Sequence, residues 1–240
     1  ITNYIFCMKW GTLYGAEYVN RLYSMVNRNL THPFKMVCFT DDTSGIINEV
    51  QCFPIPEINL DSNLPERIGK INHIKKDLYG LEGRALFLDL DIVIVDNIDC
   101  FFDIEGEFRI IKDHSWRSWR ITGNSSVYRF DIGKHGYVFD DFIANFDKVI
   151  KLHRNEQEYL THAINDKGKL QYWPKKWCPS YKYDCISRFP LAFWKKPTIP
   201  EGSKIIIFHG EINPHKAVKG GRGKWYRYVR PAPWVETYWK

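Results

Sequence analysis

The chain has 240 residues, 44% hydrophobic and 16% aromatic, enough to bury a substantial core; this excludes a disordered, collagen-like or disulfide-miniprotein class. Its longest apolar stretches, Leu86–Leu88 and Ile92–Val95, fall far short of a membrane span. The net charge of +6 is carried by the end of the chain, where Lys216, Lys219, Arg222, Lys224, Arg227, Arg230 and Lys240 face one acid, Glu236; the remainder is neutral, which argues against a general nucleic-acid binder.

Tyr4–Met8 reads as a short strand, followed by a turn-rich loop, Trp10-Gly11-Thr12-Leu13-Tyr14-Gly15. Tyr18, Val19, Leu22, Tyr23, Val26 and Leu30 then fall at helical spacing, and Pro33 ends that helix. Met36–Phe39 is the next strand, closing on Thr40-Asp41-Asp42. This β–loop–helix–β order opens a parallel α/β sheet, whose ligands belong at the carboxyl ends of the strands. After the prolines Pro54, Pro56 and Pro65, a second helix is expected over Arg67–Tyr79, burying Ile71, Ile74 and Leu78. Arg84–Val95 reads as the central strand, with further strands at Phe108–Ile111, Ser126–Phe130 and Ile205–Phe208 and helices at Tyr137–Phe146 and Glu156–Asp166. With no internal repeat or linker, residues 1–240 read as a single α/β domain: 1–100 a nucleotide-binding half, 101–240 acceptor-facing.

Six cysteines (Cys7, Cys38, Cys52, Cys100, Cys178 and Cys185) show no C-x-x-C spacing, and Cys7 and Cys38 sit in apolar runs. The expectation is a reduced, cytoplasmic protein. No charged-then-apolar leader is visible, and a start at Ile1 leaves the natural first residues open. The sequons at Asn29 and Asn124 are of a kind that chance supplies.

Leu86-Phe87-Leu88-Asp89-Leu90-Asp91-Ile92-Val93-Ile94-Val95 poses the main physical problem. In a strand, residues two apart share a face, so Asp89 and Asp91 would lie side by side. Adjacent carboxylates among apolar neighbours repel each other and resist desolvation, and a divalent cation compensates them. The alternative is a solvated strand end where both merely cap a turn. Ile205-Ile206-Ile207-Phe208-His209-Gly210 carries His209 to a glycine turn at the sheet's ligand edge; an Asp, Asp, His set suits manganese, then magnesium.

Together these stretches resemble a GT-A glycosyltransferase, similar to the glycogenin-like family 8 enzymes and their bacterial relatives. The matching segments are Lys9–Gly15, Phe39–Asp42, Leu86–Asp91, Asn124-Ser125-Ser126-Val127-Tyr128, Asn155–Leu160 and Phe208–His215, in family order across nearly the whole chain. The resemblance implies a Rossmann-like mixed sheet flanked by helices. It also implies transfer of a sugar from a nucleoside-diphosphate donor, UDP-linked, to a glycan or other hydroxyl acceptor, with retention. Trp10, Gly11, Thr12, Tyr14, Thr40 and Asp41 would hold base and ribose, and Asp89, Asp91 and His209 the metal. Lys70, Ser125 and Gly210 would meet the donor, Asn124 would line the sugar site, and Glu156 with Gln157 stands where the family has an Asp-Gln pair. His209 meets Gly210 directly and Asn213 stands before Pro214, two departures that shift the phosphate-contacting lysine to Lys216 or Lys219.

Two segments invite separate roles. Lys112–Arg120, with Trp116 and Trp119, suits a lid or acceptor platform, or else tucks its tryptophans into the core. Lys224–Arg230 alternates cations and aromatics, which suits an anionic glycan or membrane surface, or a solvated edge strand. The competing classes are a nucleotidyltransferase or phosphohydrolase, which the missing basic glycine-rich loop disfavours, and a non-catalytic glycan or nucleic-acid binder, which no zinc-finger or RNP-like motif supports.

Overall fold

A computed structural model describes residues 1–56, 66–113, 121–222 and 228–240, without the side chains of 66–69, 222 and 228. The expected platform Lys112–Arg120 lies mostly, and the Lys224–Arg227 part of the tail wholly, outside these residues. In chain order the strands are β1 (Asn3–Lys9), β2 (Phe34–Thr40), β3 (Val50–Phe53), β4 (Arg84–Leu88), β5 (Val93–Ile94), β6 (Phe108–Lys112), β7 (Gly123–Asp131), β8 (Leu170–Tyr172), β9 (Ile205–Ile206), β10 (Gly221–Arg222) and β11 (Tyr228–Val229). The helices are α1 (Ala16–Asn29), α2 (Cys100–Asp103), α3 (Gly136–Ala144), α4 (Phe146–Leu152), α5 (Glu156–Asp166), α6 (Pro214–Lys219) and α7 (Pro233–Tyr238), with 3-10 turns at Glu66–Ile74 and Leu191–Phe193 and a π-helical turn at Tyr181–Cys185.

Seven strands form one sheet in the order β3-β2-β1-β4-β7-β6-β8. β1, β2, β3 and β4 are mutually parallel, β7 runs against both β4 and β6, and β6 and β8 are parallel. Alternation sorts side chains to two cores. Ile5, Cys7, Met36, Cys38, Leu86 and Leu88 meet α1 and α7 on one face; Tyr4, Phe6, Val37, Phe39, Ala85 and Phe87 meet Ile71, Ile74, α3 and α5 on the other. Burial on both faces is why these strands read as unbroken apolar runs. Gly83 lets β4 begin: its φ is 142°, and a Cβ there would stand 2.2 Å from the Thr2 carbonyl that accepts from Arg84 N.

Several expectations shift. The expected helix Arg67–Tyr79 is a 3-10 helix ending at Ile74. Tyr79 (φ 53°) and Gly80 (φ 67°) are left-handed and turn the chain toward β4, while Leu78 is buried beyond the helix. The expected strand Arg84–Val95 is interrupted: β4 stops at Leu88, Leu90-Asp91 forms a turn, and β5 leaves the main sheet to pair with β9. The acidic pair therefore sits on a turn at the strand's end rather than within a strand. The expected helix Tyr137–Phe146 breaks at Asn145, which closes α3 and opens α4. Of Ile205–Phe208 only β9 pairs with β5, while Ile207 bridges in parallel to Ser180. β3 and β8, four and three residues long, lack a run long enough to read from sequence. All six cysteines are free. No helix among the described residues is long and apolar enough to cross a membrane.

Candidate active site

Strand order reverses between β1, whose next strand lies to one side, and β4 on the other; in such sheets ligands sit outside the carboxyl ends at that switch point. Lys9, Thr40 and Leu88 end the three strands there, and β7, being antiparallel, brings its first residues, Asn124 to Ser126, to the same edge.

At the β2 end, Gly11 N donates to Asp41 Oδ2 at 2.9 Å, which fixes the loop after β1 against the loop after β2. Gly11 is left-handed there, with φ 60°. Thr40 Oγ1 donates to the Asp42 carbonyl at 2.9 Å, and buried Lys9 reaches the same carbonyl at 3.0 Å. Trp10 is 43% exposed and Thr12 is exposed, so this loop presents an aromatic ring and a hydroxyl at the crevice.

The acidic turn is anchored by Asp89 N donating to the Ser126 carbonyl at 2.9 Å. Lys70 Nζ lies 2.5 Å from Asp89 Oδ1 and 3.3 Å from the Ser125 carbonyl. Tyr14 OH donates to Asp91 Oδ2 at 3.0 Å. Burial, then the Asp89 charge, raises the Asp91 pKa, a sign of negative charge short of compensation. Burial and Asp91 also push the Tyr14 phenol up, keeping it a donor. For Lys70, burial pulls the pKa down, but the carboxylates of Asp89 and Glu156 outweigh it and hold the amine protonated.

α5 supplies the opposite wall. Asn155 caps it, its Oδ1 accepting from Glu158 N at 3.0 Å, so Glu156 and Gln157 stand in the first turn. Glu156 Oε2 accepts from Lys70 N at 3.1 Å, and Gln157 Oε1 accepts from Ser125 N at 3.2 Å. Asn124 Oδ1 is turned to Ser126 N at 2.9 Å. Lys70 thus touches Asp89, Ser125 and Glu156, joining three elements.

His209 follows β9, the strand that pairs with β5 beyond the acidic turn. The β5–β9 register pairs Ile94 with Ile205 and Val93 with Ile206, the latter pair two residues after Asp91 and three before His209. His209 Nε2 lies 3.2 Å from Ser180 Oγ, and its ring 5.3 Å from that of Tyr183. Two carboxylates and an imidazole suit a divalent cation chemically, and the raised Asp91 pKa agrees. Among the described residues, however, no three His, Cys, Asp or Glu side chains stand as a formed metal cluster. Asp89 is held by Lys70, Asp91 by Tyr14, and His209 by Ser180. Gly210, left-handed with φ 81°, follows at the edge, while Lys216 is exposed on α6, where its N–H meets the Asn213 cap at 3.0 Å.

Two residues escaped sequence reasoning. Ser180, fully buried, is one of three residues of an ordinary Pro-Ser-Tyr stretch with no motif to announce it. His73 is also fully buried, its ring centroid 4.4 Å from that of Phe39 and 5.4 Å from that of Phe87. Burial, then the Lys70 charge, pushes its pKa to about 3, so it is neutral packing under the lysine. Its place three residues after Lys70, on the apolar side of a helical stripe, is the signal that was available.

Glu156 has a measurable signature. Burial raises its pKa from near 4.5 to about 7. The folded chain therefore binds this proton more tightly than the unfolded chain; the stability it contributes is intact below the ordinary value and is lost as pH rises through 7. Glu156→Gln keeps an acceptor for Lys70 N but removes the titration. The variant should match wild type at pH 4 and gain roughly 1–3 kcal/mol at pH 8, after allowance for partial solvent screening, in denaturant unfolding across pH. Parallel pH profiles for the two proteins would refute the assignment.

No protein-family model matches the sequence, and no curated protein matches it by sequence. Solved structures do match in fold. A galactosyltransferase, LgtC, in complex with donor and acceptor sugar analogs, superposes at TM-score 0.60 with 10% identity, over 88% of this chain and 88% of that one. An active-site variant of LgtC gives 0.59 at 11% identity, over 88% and 89%. The apo structure of WbbM, a bifunctional glycosyltransferase, gives 0.58 at 14% identity over 89% of this chain and 46% of that one, so this chain spans about half the length of WbbM. The mixed sheet, its flanking helices and the switch-point crevice are thus the GT-A architecture of these glycosyltransferases.

Proposed function

We propose that the protein is a metal-dependent glycosyltransferase of the glycogenin-like family 8 type, moving a sugar from a UDP-linked donor to a hydroxyl acceptor with retention. The observation that carries this reading is the convergence of Lys70, Asp89, Ser125, Glu156 and Gln157 from four elements at the sheet's switch point. The likeness to LgtC, solved in complex with donor and acceptor sugar analogs, supports the substrate class.

In this reading the half 1–100 receives the nucleotide and 101–240 faces the acceptor. The loop Trp10–Tyr14, held by Asp41, and Thr40 receive base and ribose. Asp89 and Asp91, with His209, would hold manganese or magnesium, which when bound supplies Lewis-acid stabilisation of the leaving diphosphate. Lys70 adds a fixed positive charge beside that diphosphate, pre-organised by its contacts to Asp89 and Ser125. Gly210 lets the backbone approach the phosphates, and exposed Lys216 screens their charge. Asn124 and Ser125 border the sugar, and Glu156 and Gln157 face its reacting carbon, their orientation fixed by Lys70 N and Ser125 N.

Calorimetry of UDP, GDP and a UDP-sugar, each with and without manganese, tests the reading, together with a hydrolysis screen of nucleotide sugars. UDP binding that appears only with manganese, with slow sugar release, is expected. Pyrophosphate release from a nucleoside triphosphate and a sugar phosphate would assign the chain to nucleotidyl transfer instead. Tight RNA binding without nucleotide affinity would make it a binder.

A further inference from the structure

Between the π-helical turn Tyr181–Cys185 and the approach to β9, the chain makes an excursion closed at its base. Thr198 N donates to the Cys185 carbonyl at 3.1 Å, so residues 186–197 form a compact surface loop. It is braced rather than slack. The turn Leu191–Phe193 lies inside it, Arg230 Nε donates to the Phe193 carbonyl at 2.8 Å, and Trp234 Nε1 donates to the Pro197 carbonyl at 3.0 Å.

A braced loop normally turns its large apolar side chains inward, yet here Phe189 is 61%, Leu191 49% and Trp194 67% exposed. Single exposed apolar residues are ordinary; three within six positions of a fixed loop form a patch. Arg188, Lys195 and Lys196 flank it, all exposed, and positions 186–197 contain no acid. The combination has a specific physical match. Tryptophan, phenylalanine and leucine favour the headgroup–acyl boundary, where the indole N–H stays hydrated, and flanking cations gain from anionic headgroups. A second copy of the chain is a poor match, because a self-complementary contact would bring two acid-free cationic rims together.

We propose that loop 186–197 is an interfacial anchor for a bilayer surface bearing anionic headgroups, with Phe189, Leu191 and Trp194 as the inserting side chains and Arg188, Lys195 and Lys196 as the headgroup contacts. The anchor is independent of whether the crevice transfers sugar. It also differs from the tail 224–230, to which sequence alone directs attention. The loop continues directly from the turn that Ser180 caps, and Ser180 Oγ lies 3.2 Å from His209 Nε2.

The test is flotation of the full chain with vesicles of phosphatidylcholine alone or mixed with phosphatidylglycerol, at low and high salt. Wild type should float with the mixed vesicles, and salt should weaken this. The triple variant Phe189→Ser, Leu191→Ser, Trp194→Ser should partition about tenfold more weakly. Lys195→Glu with Lys196→Glu should lose the preference for anionic lipid. The changed side chains are exposed, and unchanged thermal unfolding would confirm an intact fold. Absence of wild-type flotation would overturn the proposal. So would undiminished flotation of the triple variant, which would move membrane contact to another surface, or a wild-type dimer in sedimentation that the triple variant abolishes without any vesicle binding.

Discussion

Asp91→Ala is expected to abolish manganese-dependent UDP binding and to lower nucleotide-sugar turnover well beyond the roughly 10–100-fold cost of losing an outer-shell partner of a metal. The expectation rests on charge. Asp91 is half-buried, next to Asp89, and desolvation and that neighbouring charge both raise its proton affinity. A site arranged to take a divalent ion needs that carboxylate ionised, and alanine removes it. Tyr14→Phe is the discriminating companion: it removes the hydroxyl that donates to Asp91 Oδ2 at 3.0 Å but leaves both carboxylates, so it should cost at most about 10–100-fold and keep manganese dependence. Initial rates against manganese concentration, with calorimetry of UDP, would separate the two variants. Turnover by Asp91→Ala within about tenfold of wild type would remove Asp91 from the metal site.

The second large effect concerns stability. Arg129 is fully buried and, among the described residues, has no carboxylate in hydrogen-bond contact. Its guanidinium donates to the carbonyls of Phe101 at 2.6 Å, Ile104 at 2.7 Å and Gly106 at 2.5 Å, closing the end of α2 and the turn into β6. Burial lowers its pKa to about 10, with Arg84 and Arg109 adding to the shift, so it stays charged at neutral pH. Arg129→Met conserves most of the volume but strands three carbonyls in the interior, so unfolding should become easier by roughly 3–5 kcal/mol. Arg129→Lys should recover only part of this, because a single ammonium cannot reproduce the planar fork. Urea midpoints at constant m-value would measure both, and a loss below about 1 kcal/mol for Arg129→Met would mean that water replaces the guanidinium.

The legible parts of the fold are those where burial and capping act locally. α5 spans Glu156–Asp166 as its sequence indicates, since Asn155 supplies the cap and Tyr159, Leu160 and Ile164 a buried stripe. β1 and β2 follow from apolar runs buried on both faces. The break after Leu88 was not legible, because Leu86–Leu88 and Val93–Ile94 are equally apolar and no glycine or proline separates them. What ends the strand is a distant partner: β9, over a hundred positions later, draws β5 out of the sheet. The site divides in the same way. Asp89 and Asp91 announce themselves by charge in an apolar run, whereas Lys70 and Glu156 are expected only from the resemblance. Ser180 and the Gln157–Ser125 pairing depend on tertiary contacts that local spacing does not encode.

One reversed strand also settles what the main chain can offer at the crevice. β1, β2 and β4 finish there, whereas β7 starts there, so the Ser125 N–H and the Ser125 and Ser126 carbonyls reach the same edge, where Gln157 Oε1, Lys70 Nζ and Asp89 N respectively engage them. Donor and acceptor groups of two consecutive residues thus tie the lysine, the acidic turn and the first turn of α5 to one strand start, so a shift of that start would displace all three at once.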